Sequence, residues 1–116
     1  MQELDLRSNY IGPGGAKAIA ALCAVRASLT KILVGGNGLG DEGTTILCDA
    51  LRESTASKVE ELDLSYNKIG PDGARAIAAL CAVRPSLTKL DAEYNRLGEE
   101  GKAVLRRSGV EEAAVM

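Results

Sequence analysis

A glycine-rich segment in the second quarter of the chain has the residue types of a dinucleotide-binding loop. Gly38, Gly40 and Gly43 have the spacing G-x-G-x-x-G. They follow a short apolar stretch at 32–34 and precede residues 44–47, which could begin a helix. A strand, a glycine turn and a helix N-terminus form the setting in which such glycines bind a pyrophosphate. The segment therefore raises the question of a nucleotide site.

The other residues that could do chemistry are three cysteines and several aspartates. The chain has no histidine, the commonest general base, and no C-x-x-C pair that would indicate zinc. Aspartates on an open sheet would stay solvated, without the burial that tunes a pKa for acid–base work. We therefore expect no enzyme, no catalytic or metal-binding residue and no cofactor. An odd cysteine count and the lack of an Asn-x-Ser/Thr sequon favour the cytoplasm or another reducing intracellular compartment.

The composition fits one domain over residues 1–116 and excludes two classes of partner. The net charge is −2, from 14 basic and 16 acidic residues without a Lys/Arg block, so we expect no nucleic-acid binding. No apolar run approaches the ~20 residues that span a bilayer, so we expect no membrane insertion, and the acidic N-terminus gives no sign of a signal peptide. Without Trp or Phe, the core must consist of Leu, Ile, Val and Ala.

The chain contains four copies of one unit. Residues 3–32 and 61–90 align without gaps and are identical at 23 of 30 positions. Two weaker copies complete the pattern, which we place at about 1–28, 29–58, 59–86 and 87–109, with a C-terminal tail at 110–116. In every copy an asparagine is preceded by an apolar residue eight positions earlier and followed by an apolar residue and two glycines; the asparagines are Asn9, Asn37, Asn67 and Asn95, and the first apolar residues are Met1, Leu29, Val59 and Leu87.

Each unit predicts one short strand and one helix. In the third, Leu62 and Leu64 alternate with polar residues, as in a strand with one buried face. Asn67 then ends the strand, and stacked asparagines would form a hydrogen-bonded ladder. The helix is predicted to begin at Gly70-Pro71 and to end at Arg84-Pro85-Ser86. Its apolar stripe comprises Ala74, Ile77, Ala78 and Cys81, and the alignment places Cys23 and Cys48 on the same inward side.

A strand and a helix of this length cannot bury their own apolar faces, but stacked units can. The motif LDLSYNKIG followed by Gly73-Ala74 resembles the ribonuclease-inhibitor-type leucine-rich repeat, also found in NOD-like receptors. The resemblance covers residues 1 to about 107. It implies an α/β horseshoe whose concave parallel sheet binds other proteins.

This pattern answers the question of the glycines. Gly40 and Gly43 recur in all four copies, where one begins the helix and the other allows close packing. Asp41 and Glu42 would begin the helix, stabilise its positive end and repel a phosphate there. We therefore expect no nucleotide site. Gly35, Gly36 and Gly38 remain informative, because other copies carry larger residues at these positions, and we predict a notch between Arg7 and Tyr66 that receives a partner's side chain or backbone.

The outward strand residues form columns across the predicted concave face. The first column alternates in charge and is interpreted as cross-strand pairing that keeps the sheet in solution. The second places like charges side by side, and Tyr66 and Tyr94 should be neighbours at the strand ends, where exposed tyrosines often anchor interfaces. We therefore expect a protein partner with a basic patch. The predicted protein-binding residues are Asp5, Arg7, Leu33, Gly36, Asp63, Ser65, Tyr66, Asp91, Glu93 and Tyr94.

An alternative is a structural subunit, or a fragment of a longer repeat protein, that packs end-on in an assembly. No capping segment precedes the first strand, whose outer edge would be an exposed pairing site. We expect that this first repeat rests on a partner or on further repeats, and that the C-terminal end is genuine.

Overall fold

A computed structural model of the protein describes residues 3–26, 28–54, 58–84, 86–108 and the backbone of residues 114–115. Met1, the helix-ending Pro85 and most of the tail lie outside the described residues. Strands and helices alternate along the chain as β1 (Glu3–Asp5), α1 (Gly12–Val25), β2 (Lys31–Leu33), α2 (Gly40–Glu53), β3 (Glu61–Asp63), α3 (Pro71–Val83), β4 (Lys89–Ala92), α4 (Gly98–Arg106) and β5 (Ala114–Val115).

The strands form one parallel sheet in the order in which they occur in the sequence. Equivalent residues of neighbouring repeats are aligned, so that Leu4, Ile32, Leu62 and Leu90 form one buried row. The helices pack in a parallel layer on one side of the sheet. The predicted α/β solenoid of four strand–helix repeats is confirmed.

The C-terminal tail contains a strand that the sequence analysis did not predict. Ala114 pairs with Asp91, and Val115 pairs with Ala92. This pairing satisfies backbone groups on the outer edge of β4 that would otherwise remain open. A sequence signal was present, since Val110-Glu111-Glu112 repeats Val59-Glu60-Glu61. It was missed because the spacing from the fourth repeat is shorter than the 28 to 30 residues that separate the other copies.

Small residues let the helices approach one another closely. A Cβ atom on Gly43 would lie 3.2 Å from the Cα atom of Pro13 and 3.4 Å from the Cβ atom of Ala16. A Cβ atom on Gly101 would lie 3.5 Å from the Cα atom of Pro71. The second glycine therefore has the packing role that the sequence indicated in the second, third and fourth repeats, where a preceding helix lies against it.

The buried face of α3 is wider than the predicted stripe. Ala74, Ile77 and Cys81 are buried as expected, but Ala78 is only half-buried and Leu80 is 2% exposed. The helix lies between α2 and α4, so it buries side chains toward both neighbours as well as toward the sheet. A single amphipathic stripe cannot describe a helix with three covered sides.

The predicted asparagine ladder is present. In each step, the side-chain oxygen of one asparagine accepts a hydrogen bond from the backbone N–H of the asparagine in the preceding repeat. The distances are 2.8 Å for Asn37 and Asn9, 3.0 Å for Asn67 and Asn37, and 2.8 Å for Asn95 and Asn67. Each of these three accepting asparagines also donates to a backbone carbonyl of the preceding repeat. The ladder therefore connects every pair of neighbouring repeats.

Asp41 stabilises a different helix from the one expected. Its Oδ1 atom accepts from the backbone N–H of Gly70 at 2.6 Å and of Gly73 at 2.9 Å, both at the start of α3. Gly70 accordingly has φ −100°, whereas the corresponding Gly12, Gly40 and Gly98 have φ between 65° and 67°. The carboxylate of one repeat thus occupies the positive end of the next helix.

One buried polar atom has no hydrogen-bond partner among the described residues, the Oγ1 atom of Thr44 on α2. Ala16 and Ala74 occupy the corresponding positions. We expect Thr44→Val to keep the volume, remove the desolvated hydroxyl and raise the free energy of unfolding by about 1 kcal/mol. Urea denaturation would measure this, with Thr45→Val, at a half-buried position of the same helix, as the control expected near zero. A loss of stability specific to Thr44→Val would show that the hydroxyl has a partner.

Candidate functional site

The concave face carries the columns that the sequence predicted. In the first column, Lys31 lies between two glutamates, and its Nζ atom is 3.7 Å from a carboxylate oxygen of both Glu3 and Glu61. All three side chains are partly exposed. These three members of the column pair their charges across the strands, as the structural interpretation requires.

The second column places Asp63 and Asp91 side by side on β3 and β4. Each accepts a backbone N–H two residues further on, from Ser65 at 2.9 Å and from Glu93 at 3.0 Å, and Asp63 also accepts the Ser65 hydroxyl at 2.7 Å. These bonds offset part of the repulsion between the like charges. Both carboxylates remain partly accessible on the concave face.

Asp5 differs from the other two aspartates because Arg7 engages it directly. The guanidinium donates to both carboxylate oxygens at 2.9 and 2.7 Å, and the Arg7 backbone N–H adds a bond of 3.2 Å. These hydrogen bonds lower the pKa of Asp5 to about 2 and raise the pKa of Arg7. The positive charge of Arg7 is thus largely paired with Asp5, within its own repeat.

The pKa of Asp5 gives a test of this ion pair. A carboxyl whose pKa is lowered in the folded state contributes stability that is present above its unfolded pKa and is lost as the pH falls toward 2. We expect carboxyl-carbon NMR to show Asp5 titrating near 2, and Arg7→Ala to return it toward its ordinary value near 4. An unchanged titration in Arg7→Ala would mean that the backbone bond alone sets the pKa.

Leu33 occupies the second column between Asp5 and Asp63 but is only 8% exposed. It forms part of the floor of a concavity of about 430 Å³, which is also lined by Arg7, Glu61, Leu62, Asp63, Lys89, Leu90 and Asp91. Its neighbours in the column are Asp5 and Asp63. Leu33 therefore offers much less contact area than its outward strand position suggested.

The two predicted neighbouring tyrosines form a stacked pair. The ring centroids of Tyr66 and Tyr94 are 4.4 Å apart, with an angle of 12° between the ring planes. The two residues remain 57% and 51% exposed. Burial and the neighbouring Tyr94 raise the pKa of Tyr66. The pair is an aromatic surface at the strand ends, beside Asp91 and Glu93.

The predicted notch is present next to this pair. A concavity of about 480 Å³ is lined by Arg7, Ser8, Gly35, Gly36, Asp63, Ser65 and Tyr66. A Cβ atom on Gly35 would lie 2.7 Å from the Ser65 hydroxyl oxygen. The two glycines therefore form the floor, and the first and third repeats form the walls.

The sequence analysis missed one exposed aromatic residue at this end of the sheet. Tyr10 is 96% exposed. A second concavity, of about 380 Å³, is lined by Tyr10, Gly12, Gly36, Asn37, Gly38, Tyr66 and Lys68. The alignment of the repeats could have predicted it, because Gly38 in the second repeat corresponds to Tyr10 in the first and to Lys68 in the third.

The three cysteines, the other residues that could react, lie away from solvent. Cys23, Cys48 and Cys81 are free and buried, and burial raises the pKa of all three thiols, to about 11 for Cys23. Within the described ranges, no three His, Cys, Asp or Glu side chains are grouped so that they could hold a metal ion. None of the described helices is long and apolar enough to cross a membrane.

Comparison with known proteins identifies the repeat. A family model described as "Leucine Rich repeat" matches residues 1–20 and 55–78. Pig (Sus scrofa) ribonuclease inhibitor is 32% identical over 108 residues, which is 93% of this chain. Arabidopsis thaliana RAN GTPase-activating protein 2 is 35% identical over 101 residues, or 87% of the chain. The chain belongs to the ribonuclease-inhibitor-type leucine-rich repeat family.

These leucine-rich repeats form a short segment relative to the similar proteins. The chain spans 24% of the ribonuclease inhibitor and 18% of the RAN GTPase-activating protein. A solved structure of the leiomodin-1 actin-binding site 2 is similar with a TM-score of 0.82 at 14% sequence identity, over all of this chain and 70% of that one. That likeness supports the repeat fold alone.

Proposed function

We propose that this leucine-rich repeat segment binds another protein, without catalysis, through its concave sheet and strand-end loops. The observation that carries the proposal is the exposed Tyr66–Tyr94 stack, which lies between the carboxylates of β3 and β4 and a notch with a glycine floor. Aromatic side chains that are accessible beside a concavity are the usual anchors of protein interfaces. A cytoplasmic location is part of the same proposal.

Charge favours a partner with a basic patch. Arg7 is paired with Asp5, and Lys31 with two glutamates, so these cations are already neutralised. Asp63 and Asp91 bond mainly to backbone groups, and their negative charge remains uncompensated by a cation within 4.0 Å among the described residues. A lysine or arginine of a partner would relieve this local repulsion, which contributes to both association rate and specificity.

The similar proteins are consistent with this function. The names of the ribonuclease inhibitor and the RAN GTPase-activating protein each refer to a protein on which they act. Fold likeness alone does not transfer a target, because leucine-rich repeats are a scaffold for many partners. The proposal for this chain therefore rests on its own residues.

Affinity capture with the immobilised chain, followed by mass spectrometry, would identify the partner. The proposal predicts a protein that carries clustered Lys or Arg and whose binding weakens with added salt. The same chain carrying Asp63→Lys serves as the reference for non-specific capture. Retention of the same proteins on both chains would contradict the proposed face.

A substitution that fills the notch tests its role. We expect Gly36→Tyr to lower affinity for the captured partner at least about tenfold, which corresponds to about 1.4 kcal/mol. The backbone can accept the change, because Gly36 has φ 71° and the corresponding Tyr66 and Tyr94 have φ 54° and 58°. The atom nearest to a Cβ atom at position 36 would be the oxygen of the rotatable Ser8 hydroxyl, at 3.1 Å.

Gly38→Lys is the matched control for this test. Gly38 also has positive φ, has open space around its Cβ position, and corresponds to Lys68. It lines the neighbouring concavity rather than the notch. Isothermal titration should show a smaller loss of affinity for Gly38→Lys than for Gly36→Tyr. Equal affinities of Gly36→Tyr and the parent chain would mean that the glycines serve the local backbone conformation and not binding.

A further inference from the structure

We infer that the notch receives an arginine side chain of the partner, whose guanidinium stacks on the free face of the Tyr66 ring and binds the carboxylate of Asp63. The inference rests on the proposed function, because the arginine belongs to the proposed protein partner. It adds the chemical identity of the inserted group and its position. Three features of the notch support it, namely an aromatic wall, a carboxylate at the floor and an empty place in a row of side chains.

The empty place lies at Gly36, in a row of corresponding residues just after the strands. The row, whose members all have positive φ between 54° and 71°, consists of Ser8, Gly36, Tyr66 and Tyr94. The N–H of Gly36 donates to the main chain of the third repeat at 2.9 Å, and the N–H of Tyr66 donates in the same way to the fourth repeat at 3.1 Å. A ring at position 36 would therefore lie against Tyr66 as Tyr66 lies against Tyr94.

Tyr66 presents one free ring face to this empty place. Its other face is stacked on Tyr94, with the ring centroids 4.4 Å apart and 12° between the ring planes. Because Tyr94 belongs to the fourth repeat, the free face points back toward the second repeat, where Gly36 has no side chain. Two strand spacings, roughly 10 Å, separate the first repeat from the third. This separation leaves room for one planar group against the ring.

The carboxylate of Asp63 lies at the floor of the notch. A Cβ atom on Gly35 would be 3.2 Å from each of its two oxygens, so the glycine leaves this carboxylate room. Its Oδ1 atom accepts from the backbone N–H and the hydroxyl of Ser65. Among the described residues, its Oδ2 atom accepts no hydrogen bond, and no cation lies within 4.0 Å of either oxygen. A charged donor inserted into the notch would bind this free oxygen.

Arg7 also lines the notch but leaves the carboxylate of Asp63 free. Its guanidinium donates to both carboxylate oxygens of Asp5, at 2.9 and 2.7 Å. Asp5 is accordingly the main cause of the raised pKa of Arg7, and the more distant Asp63 contributes less. The charges of Arg7 and Asp5 offset each other, so Asp63 is the charge that an inserted side chain meets.

Arginine fits these three features better than any other side chain. Its guanidinium is flat and always charged, and it can stack on an aromatic ring while its N–H groups donate to a carboxylate. Lysine has the charge without the plane. Phenylalanine and tyrosine have the plane without the charge, and they would cover Asp63 without neutralising it. The notch therefore selects a guanidinium.

Titration of the chain with three blocked tripeptides tests the inference without the partner. The central residue, between two glycines, is arginine, lysine or citrulline, and citrulline has the planar shape of arginine without its charge. We expect the arginine peptide to shift the NMR signals of the Gly35 and Gly36 amides and of the Tyr66 ring. Its Kd should be at least about fivefold lower than those of the other two peptides. Added salt should weaken its binding.

Three substitutions show where the arginine peptide binds. Tyr66→Leu removes the ring face, and Gly36→Tyr fills the empty place. Asp63→Asn removes the charge but keeps an oxygen that can accept from Ser65. Each should raise the Kd of the arginine peptide at least about fivefold. Tyr10→Leu is the matched control and should bind as the parent chain does, because Tyr10 is equally an exposed tyrosine but lines the neighbouring concavity and not the notch.

Three outcomes would overturn the inference. The first is the absence of these shifts with the arginine peptide at about 10 mM. The second is equal affinity for the lysine or the citrulline peptide, because charge alone or shape alone would then suffice. The third is binding of the arginine peptide that survives both Tyr66→Leu and Asp63→Asn.

Failure of the inference differs from failure of the proposed function. If the arginine peptide does not bind but the captured partner protects the strand-end loops from hydrogen exchange, the proposed function holds and the arginine is wrong. If no protein binds the concave face, the proposed function fails, while the titration still decides whether the notch selects a guanidinium.

Discussion

Asn67→Ala should lower the free energy of unfolding by about 3 to 5 kcal/mol, a large part of the stability of a domain of this size. The Asn67 side chain accepts from the backbone N–H groups of Asn37 and Leu39 at 3.0 and 3.2 Å. It donates to the carbonyls of Val34 and Ser65 at 3.0 and 3.1 Å. Alanine would leave several of these main-chain groups buried without a partner, and the effect would appear in urea denaturation.

Asn9→Ala is the matched control, because Asn9 occupies the same position of the repeat but is exposed. Among the described residues, its amide donates only to the carbonyls of Leu6 and Arg7. Water can replace those bonds, so the expected loss is about 1 kcal/mol or less. If the two substitutions destabilised the protein equally, the ladder would owe its stability to local turn geometry and not to bonds between repeats.

The combined substitution Asp63→Lys and Tyr94→Ala should weaken binding of the captured partner at least about 100-fold. The lysine reverses a charge that has no cation within 4.0 Å among the described residues, and loss of such a complementary contact at an interface costs about 2 to 5 kcal/mol. Alanine at position 94 removes half of the exposed aromatic stack, and truncation of an anchoring tyrosine commonly costs about 2 kcal/mol or more. Isothermal titration at fixed salt would measure the change.

Glu42→Lys combined with Val83→Ala is the control for this pair. Both control residues are exposed, the charge change is the same, and they lie on α2 and α3 rather than on the concave sheet. Circular dichroism would check folding of both variants, because Asp63 also accepts from the Ser65 backbone. A similar loss in both variants would show that general charge, and not the proposed face, governs affinity.

The repeat made most of the fold predictable from sequence. The sequence pattern of strand, asparagine and glycine recurs in every copy, so the physical interpretation of Leu62, Asn67 and Gly73 also predicts the roles of their counterparts in the other repeats that follow a neighbour. The Tyr66–Tyr94 pair and the notch at Gly36 followed from the same alignment, because equivalent residues of parallel strands lie side by side.

What could not be predicted depends on the contacts between repeats and not within them. Asp41 was expected to serve its own helix, but the stacking of helices brings its carboxylate to the next one. Leu33 occupies an outward strand position between Asp5 and Asp63, yet it is only 8% exposed. The strand at Ala114–Val115 was missed because its spacing departs from the period. Each difference arises from the relative position of side chains in neighbouring repeats.

The most direct test of the proposed function is a hydrogen-exchange footprint of the chain with its captured partner. If the concave face and the strand-end loops bind, the segments around Gly36, Tyr66 and Tyr94 should become protected, while α1 to α4 exchange as in the free chain. Protection confined to those helices, with the strand-end loops unchanged, would contradict the proposal.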